Sequence, residues 1–168
     1  HANILLREPA GYSAAQAVSS LAFGAALGLV LVLVTRELSA RYTWARALHN
    51  EFRDVLGPLS GSEILLLALA SAVGEECLFR GALLLHLSAI SSGGVGLVLS
   101  VITSAAVFAL LHIGPGVRFL PWTLSSLIVG ILLGGLAVYT GDLFGAIVAH
   151  FTVNVLNLRD IAQRRLSL

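Results

Sequence analysis

Long apolar runs separated by short polar connections dominate the chain. A transmembrane helix needs about 20 apolar residues, because about 30 Å of hydrocarbon is crossed at roughly 1.5 Å per residue. Five windows approach that length, and we interpret them as membrane spans. They are residues 13–34, 63–87, 94–113, 119–139 and 142–158. The pattern predicts an all-α, polytopic transmembrane bundle that forms a single domain over residues 1–168.

The connection between the first two predicted spans, residues 36–58, has a different pattern. It mixes four arginines with apolar side chains, of which Trp44, Leu48, Phe52 and Leu56 recur at helical spacing. One apolar and one charged face are typical of an amphipathic helix lying in the membrane interface. An ordinary loop helix on the cytoplasmic side is the alternative.

Composition excludes several other classes of protein. The chain is 57% hydrophobic and 11% charged, whereas a soluble domain carries about 25% charged residues. A disordered chain is excluded too, because such chains are poor in apolar residues. The net charge of +1 argues against a nucleic-acid partner. A single cysteine excludes an intrachain disulfide framework and a cysteine-rich zinc site.

The arginines are distributed unevenly between the two predicted sides of the bundle. With five spans, eight of the ten fall on one side and only Arg7 on the other. Because arginine is enriched on the cytoplasmic side, this predicts an outside N-terminus and a cytoplasmic C-terminus. Residues 2–11 lack the apolar stretch of a signal peptide, so we expect none there.

Ionisable side chains interrupt the second predicted span. Glu75, Glu76 and Arg80 together would cost roughly 7–10 kcal/mol to insert, at about 2.5–3.5 kcal/mol each. Glu76 and Arg80 are spaced i,i+4 and can pair along one helix face, which leaves Glu75 without a partner in its own helix. An intramembrane carboxylate without a local partner indicates a functional site.

Polar residues in two further spans complete the candidate set. His112 ends the third span, and His150 and Asn154 share one face of the fifth. Each could alone be a contact between helices, but three clusters in one small bundle favour a shared cavity. A carboxylate and a histidine there can deprotonate water, while a histidine and an asparagine offer N–H donors to an oxyanion. This set of groups predicts hydrolysis of an amide bond by activated water.

In their order along the chain, the three clusters resemble the motifs of the CPBP family of CAAX prenyl endopeptidases and bacteriocin-processing enzymes, also called the Abi family. The matching residues are Glu-Glu-x-x-x-Arg at 75–80, Phe-x-x-x-His at 108–112 and His-x-x-x-Asn at 150–154. The resemblance covers about residues 63–158, which we interpret as the catalytic part of the domain.

The resemblance implies a glutamate-dependent intramembrane endopeptidase with an all-helical fold. From the residues we expect no cofactor or metal, with zinc as the alternative considered below. Carried over position by position, Glu75 and His112 activate the water, while His150 and Asn154 stabilise the tetrahedral intermediate. The remaining charged residues of the first motif, at positions 76 and 80, would be supporting residues.

The resemblance also implies a setting and a substrate class. The protein is expected in a bacterial inner membrane, where the bilayer and a membrane-anchored protein or peptide are its partners. The substrate could be of CAAX type, a leader peptide or a C-terminal sorting tail, the last being typical of myxosortase-type members.

Three alternatives stay open. Cys77 could be a nucleophile with His112 as its base, although a thiol buried in an apolar helix is inert. One glutamate and two histidines are also a zinc ligand set, although Arg80 nearby disfavours a dication. A non-catalytic bacteriocin-immunity protein or membrane scaffold is the third.

Glycines make two local predictions. Pairs spaced i,i+4 fit close helix packing, within the bundle or between two copies; they are Gly24/Gly28, Gly130/Gly134 and Gly141/Gly145. The Gly114-Pro115-Gly116 sequence should end the third span directly after His112 and give water or an extended substrate access to it.

The boundaries of the predicted spans place His112 near the inner face of the membrane but Glu75 about 18 Å deep. The two side chains can therefore converge only if the helices are shifted or tilted.

Overall fold

The computed structural model describes residues 13–167, and within them the chain is helical without strands. The predicted all-α class is confirmed. The helices are α1 (Ala14–Arg41), α2 (Thr43–Leu56), α3 (Gly61–Glu76), α4 (Leu85–Ile90), α5 (Gly93–Leu110), α6 (Leu120–Thr140) and α7 (Phe144–Gln163). A π-helical segment, Cys77–Leu84, joins α3 to α4, and a 3-10 turn, Val117–Phe119, precedes α6. Arg7 and the segment 2–11 lie outside the described residues.

Three helical stretches of the described chain are long and apolar enough to cross a membrane: Ala14–Arg41, Gly93–Leu110 and Val117–Thr140. A fourth is added if α2 and the continuous helix Gly61–Ile90, which meet at 105°, count as one span. The five-span arrangement therefore stays a prediction.

Two helices extend beyond the apolar windows that predicted them. α1 continues past Val34 to Arg41, and α7 continues past Leu158 to Gln163. Their last turns are polar, so hydropathy gives no signal there, but the backbone remains helical. Because α1 includes residues 36–41, the amphipathic helix is shorter than the segment 36–58 expected from the sequence and is confined to α2.

Two polar side chains of α2 are buried against the rest of the protein. His49 and Asn50 are buried, whereas Trp44 is 45% exposed. The buried residues hold the extended chain after α7: His49 Nε2 lies 2.8 Å from the Arg164 carbonyl oxygen, and the Asn50 amide exchanges two hydrogen bonds with the Leu166 backbone. Of the apolar row predicted on this helix, Trp44 thus faces outward, whereas Phe52 packs against the rings of Phe119 and Trp122.

α1 and α7 run parallel and touch through small residues. Gly24 packs against the backbone of Gly145, and Gly28 packs against Ala149 and Thr152. These close approaches are possible because neither glycine has a Cβ. The in-bundle role predicted for these glycines is thus confirmed.

A second pair of helices, α5 and α6, is joined in the same way. Gly130 packs against Ala105, and Gly134 packs against Val101. Gly141 departs from the predicted packing role, because it ends α6 in the left-handed conformation at φ 72° and ψ 22°. That conformation is open to glycine at little cost.

α3 lies antiparallel to α7, and this contact positions the polar residues. Along the shared face Ser71 is opposite Asn154, and Glu75 is opposite His150. The α3–α7 contact therefore brings the first and third sequence motifs together in the middle of the bundle.

Candidate active site

Glu76 and Arg80 form the buried base of the site. Arg80 Nη1 donates to Glu76 Oε1 at 2.8 Å, and neither side chain is more than 1% exposed. The other end of the guanidinium donates to the Gly130 carbonyl at 2.9 Å, and its carbon lies 4.8 Å from the centre of the Phe108 ring. The predicted i,i+4 pair is confirmed, and these contacts offset part of the cost of burying two charges.

Arg80 lies in the π-helical segment, which the sequence did not predict. A π-helix places backbone hydrogen bonds at i→i+5, and such segments occur frequently at functional sites. The hydroxyl of Ser104 donates to the Phe79 carbonyl at 2.8 Å, so α5 stabilises this wider turn. No charge or apolar pattern marks a π-turn in the sequence, which is why it could not be foreseen.

At Glu75 of α3, side chains from α7 and from the turn after α5 come together. Its Oε2 lies 3.7 Å from His112 Nε2 and 3.8 Å from His150 Nε2. The same oxygen is buried and has no hydrogen-bond partner among the described residues. The predicted convergence of one carboxylate and two imidazoles is therefore present in the structure.

The second nitrogen of each imidazole is engaged by an acceptor. His112 Nδ1 lies 2.7 Å from the Phe108 carbonyl oxygen, and His150 Nδ1 lies 2.8 Å from Glu76 Oε1. A carbonyl or carboxylate oxygen can only accept, so both Nδ1 atoms carry the proton. In the neutral imidazoles, both Nε2 lone pairs then face Glu75 Oε2. Three acceptor atoms around one point suit a small molecule that donates O–H groups, such as water.

His112 is clamped although it lies beyond the end of its helix. α5 ends at Leu110, and His112 follows in a turn before Gly114, as the glycine-proline-glycine sequence predicted. The Trp122 ring packs on the imidazole edge at 5.2 Å between centroids, and Thr123 Oγ1 donates to the His112 carbonyl at 2.8 Å. Both contacts come from the start of α6, so α6 replaces the missing helical turn as support.

Asn154 reaches α3 one turn before Glu75. Its Nδ2 donates to Ser71 Oγ at 2.8 Å, and Ser71 Oγ donates to the Ala68 carbonyl at 3.3 Å. Because the Ser71 proton is used in this way, its oxygen accepts and fixes which end of the amide faces α3. Ser71 was missed by sequence reasoning, although its i−4 spacing from Glu75 places both on one helix face.

The depth conflict between His112 and Glu75 is resolved by the helix lengths. α3 begins at Gly61 and α7 ends at Gln163, so both extend about 20 Å beyond the site toward the same end of the bundle. α5 stops at the level of Glu75 instead of continuing with them. His112 is therefore at the end of a helix but within the bundle.

Exposure falls steadily across the cluster. The Glu75 side chain is 30% exposed, His112 is 19%, His150 is 7% and Glu76 is 0%. The Glu75–His112 side is open to the surroundings, and the Glu76–Arg80 side is closed. A reactant would thus meet Glu75 first.

Cys77 differs from the expectation that its thiol is buried. It is exposed on the bundle surface, and no hydrogen bond or ring contact joins it to the cluster. Its position next to Glu76 in the sequence turns it to another side of the helix. Among residues 13–167, no group of three histidine, cysteine, aspartate or glutamate side chains is arranged to hold a metal ion.

The chain matches a known protein family. A family model described as type II CAAX prenyl endopeptidase Rce1-like matches residues 58–156, more than half of the chain. The matched region begins before α3 and ends within α7, so it includes both glutamates, both histidines, Arg80 and Asn154. Comparison with curated proteins and with solved structures gave no match.

Proposed function

Because this chain belongs to the Rce1-like type II CAAX prenyl endopeptidase family, within the predicted CPBP family, we propose that it hydrolyses a peptide bond with water activated by Glu75. Membership makes it an integral membrane protein of a peptide-hydrolase family with a protein substrate in the membrane. The finer assignment, of residues and of mechanism, is our proposal.

One observation carries the proposal: Glu75 Oε2 faces His112 Nε2 and His150 Nε2 at 3.7 and 3.8 Å, while both Nδ1 atoms are engaged elsewhere. A water among these atoms can donate one O–H to the carboxylate and the other to His112 Nε2. It would then be oriented by two acceptors, which leaves an oxygen lone pair free to attack.

The reaction follows from these positions. Glu75 takes a proton from the water as its oxygen bonds to the carbonyl carbon of the substrate. The resulting tetrahedral oxyanion collapses, the carbon–nitrogen bond breaks, and Glu75 returns the proton to the leaving amine. The products are a carboxylic acid and an amine, and Glu75 is restored as a carboxylate.

Two N–H groups are proposed to stabilise the oxyanion. Asn154 Nδ2 has two protons, of which Ser71 accepts one, so the second is free for the substrate oxygen. His150 can donate from Nε2 only as an imidazolium. Two carboxylates, Glu76 at 2.8 Å and Glu75 at 3.8 Å, then balance the charges of this imidazolium and of Arg80. Removing one such donor costs about 10²–10³ in rate in other hydrolases.

The test uses purified protein in liposomes with labelled peptides of the three candidate classes: CAAX-type, leader and sorting-tail. Glu75→Gln and His112→Ala should each lower the rate about 10²–10⁴-fold, the usual contribution of a positioned general base. Glu63→Gln is the matched control, because Glu63 lies on the same helix but caps its exposed N-terminus at Ser60. Full activity of Glu75→Gln would refute the proposal.

The metal-free mechanism needs a separate test. We propose that Glu75, His112 and His150 act on water without zinc. Full activity after exhaustive chelation is the expected result, and activity that disappears and returns only with added zinc would contradict it. If the Glu75→Ala/His112→Ala variant still performed its cellular function, the immunity or scaffold alternative would replace catalysis.

We also propose that the N-terminus faces outward and the C-terminus the cytoplasm, in a bacterial inner membrane. α1 and α7, which are the first and fifth predicted spans, run parallel, and α3, the second, runs antiparallel to α7. Five consecutive membrane crossings require these directions. Reporter fusions at the two ends of the chain should report opposite sides of the membrane. Two ends on the same side would contradict this arrangement.

A further inference from the structure

Two arginines differ from all the others in the described chain. Of the nine arginines within residues 13–167, seven have an ion pair or a hydrogen bond from the guanidinium. Arg36 and Arg159 have neither. They are far apart in sequence, on α1 and α7, but they line one small cavity.

The cavity has a volume of about 210 Å³ and lies where α1 and α7 end together. Leu156, Asp160 and Gln163 complete its lining. The Asp160 carboxylate is occupied by Arg164 Nη2 at 2.5 Å, and this hydrogen bond raises the pKa of the Arg164 guanidinium. The cavity therefore presents two unpaired positive charges and one neutral amide.

The helix end near the cavity would normally repel an anion, because the last carbonyls of a helix carry partial negative charge. Here Arg53 Nη1 donates to the Ile161 and Ala162 carbonyls at 2.8 and 2.5 Å. Arg53 thus offsets the partial negative charge of those two carbonyls, and Arg36 and Arg159 remain the unpaired charges of the cavity lining.

The cavity also lies at a boundary between apolar and polar surface. On α1, Leu33 and Val34 are 62% and 48% exposed, as expected for side chains that face lipid. Thr35 then bonds to Asn157 across the helix pair at 3.1 Å, and Arg36 follows directly. A change from exposed apolar to polar side chains along a helix is typical of the headgroup level of a bilayer, so we expect Arg36 to lie at that level.

We propose that Arg36 and Arg159 bind the phosphate group of an anionic phospholipid at the end of the α1–α7 pair. Guanidinium groups bind phosphate through charge-assisted, often bidentate hydrogen bonds. Juxtamembrane arginines contribute about 1 kcal/mol each to attraction by anionic lipid. The site is separate from Glu75 and does not depend on the proposed hydrolysis.

The experiment measures phosphatidylglycerol bound to the detergent-solubilised full chain, by native mass spectrometry and by thermal stabilisation. Phosphatidylcholine and inorganic phosphate are added in parallel arms. The Arg36→Gln/Arg159→Gln variant should bind phosphatidylglycerol about 30-fold more weakly, which corresponds to about 2 kcal/mol. Arg41→Gln, which removes a neighbouring arginine already paired with Glu37, should bind like the parent chain.

Three outcomes would overturn the inference. Equal weakening by Arg41→Gln would mean that total charge, not this cavity, attracts the lipid. Equal binding of phosphatidylcholine would mean that the headgroup charge is irrelevant. Protection by inorganic phosphate as strong as that by the lipid would assign the site to a soluble anion. The Arg36→Lys/Arg159→Lys variant keeps both positive charges. If the glutamine variant folds poorly, binding of phosphatidylglycerol by the lysine variant, more weakly than by the parent chain, would support the site.

Discussion

Replacing Gly24 with alanine tests the close packing of α1 against α7, the helix that carries His150 and Asn154. A Cβ at position 24 would meet the Gly145 carbonyl oxygen and lie within 2.8 Å of Gly145 Cα. All the atoms it meets belong to the backbone, so no side chain can rotate away. The two helices would have to move apart.

The size of the effect can be worked from these contacts. Overpacking costs about 1–3 kcal/mol, and a backbone obstacle favours the upper end of that range. Separation would also stretch the 2.9 Å bond from the Gly145 amide to Ser20 Oγ, worth about 1 kcal/mol. Alanine returns about 1 kcal/mol through its higher helix propensity. We therefore expect a net loss of about 3 kcal/mol in the free energy of unfolding.

Gly135→Ala is the matched control, because nothing lies within 4 Å of a Cβ at that position of α6. It should gain the same helix propensity and be neutral or up to about 1 kcal/mol more stable. Both variants would be unfolded reversibly in mixed detergent micelles and followed by circular dichroism. If Gly24→Ala were as stable as Gly135→Ala, the close α1–α7 packing described above would be refuted.

Three further predictions concern the site itself. Arg80→Met should cost about 3–5 kcal/mol in the free energy of unfolding, because it leaves the Glu76 carboxylate buried without its cation. Adding Glu76→Gln to this variant should recover part of the lost stability. An equal loss in the double variant would contradict the Glu76–Arg80 pairing. Ser71→Ala should lower kcat about five- to tenfold at constant KM, since the Asn154 amide loses a hydrogen bond worth about 1 kcal/mol, while Ser71→Thr should restore kcat; a change confined to KM would exclude a positioning role. Cys77→Ser should keep full peptidase activity, because the thiol is exposed outside the cluster, and loss of activity would restore the cysteine-nucleophile alternative.

The features that could be predicted are those set by neighbours in sequence. Apolar runs gave the helices, and i,i+4 spacing gave the Glu76–Arg80 pair. The end of α5 followed from Gly114 and Pro115, because their backbone restrictions act locally. Each of these rests on interactions within a few residues of one position.

The features that could not be predicted depend on residues far apart in sequence or on backbone geometry. The Ser71–Asn154 bond joins residues 83 positions apart, and the support of His112 by Trp122 depends on how α6 returns against α5. The polar last turns of α1 and α7 have no apolar signal, so their lengths were underestimated. The depth of the site depends on how far α3 and α7 extend past the end of α5, which no local pattern records, so the sequence alone left His112 and Glu75 at different levels.

Two adjacent glutamates, which the sequence distinguishes by the i,i+4 pairing of Glu76 with Arg80, also differ in burial. Successive residues of a helix differ by about 100° in direction, so Glu76 points into the closed interior while Glu75 points toward the open side. Glu76 is 0% exposed, and its Oε1 is shared by Arg80 and His150 at 2.8 Å each. A carboxylate held in that way is poorly placed to accept a proton from water. Glu75 is 30% exposed with an unpartnered oxygen between two imidazoles, so it is better placed than Glu76 for the proposed role of base.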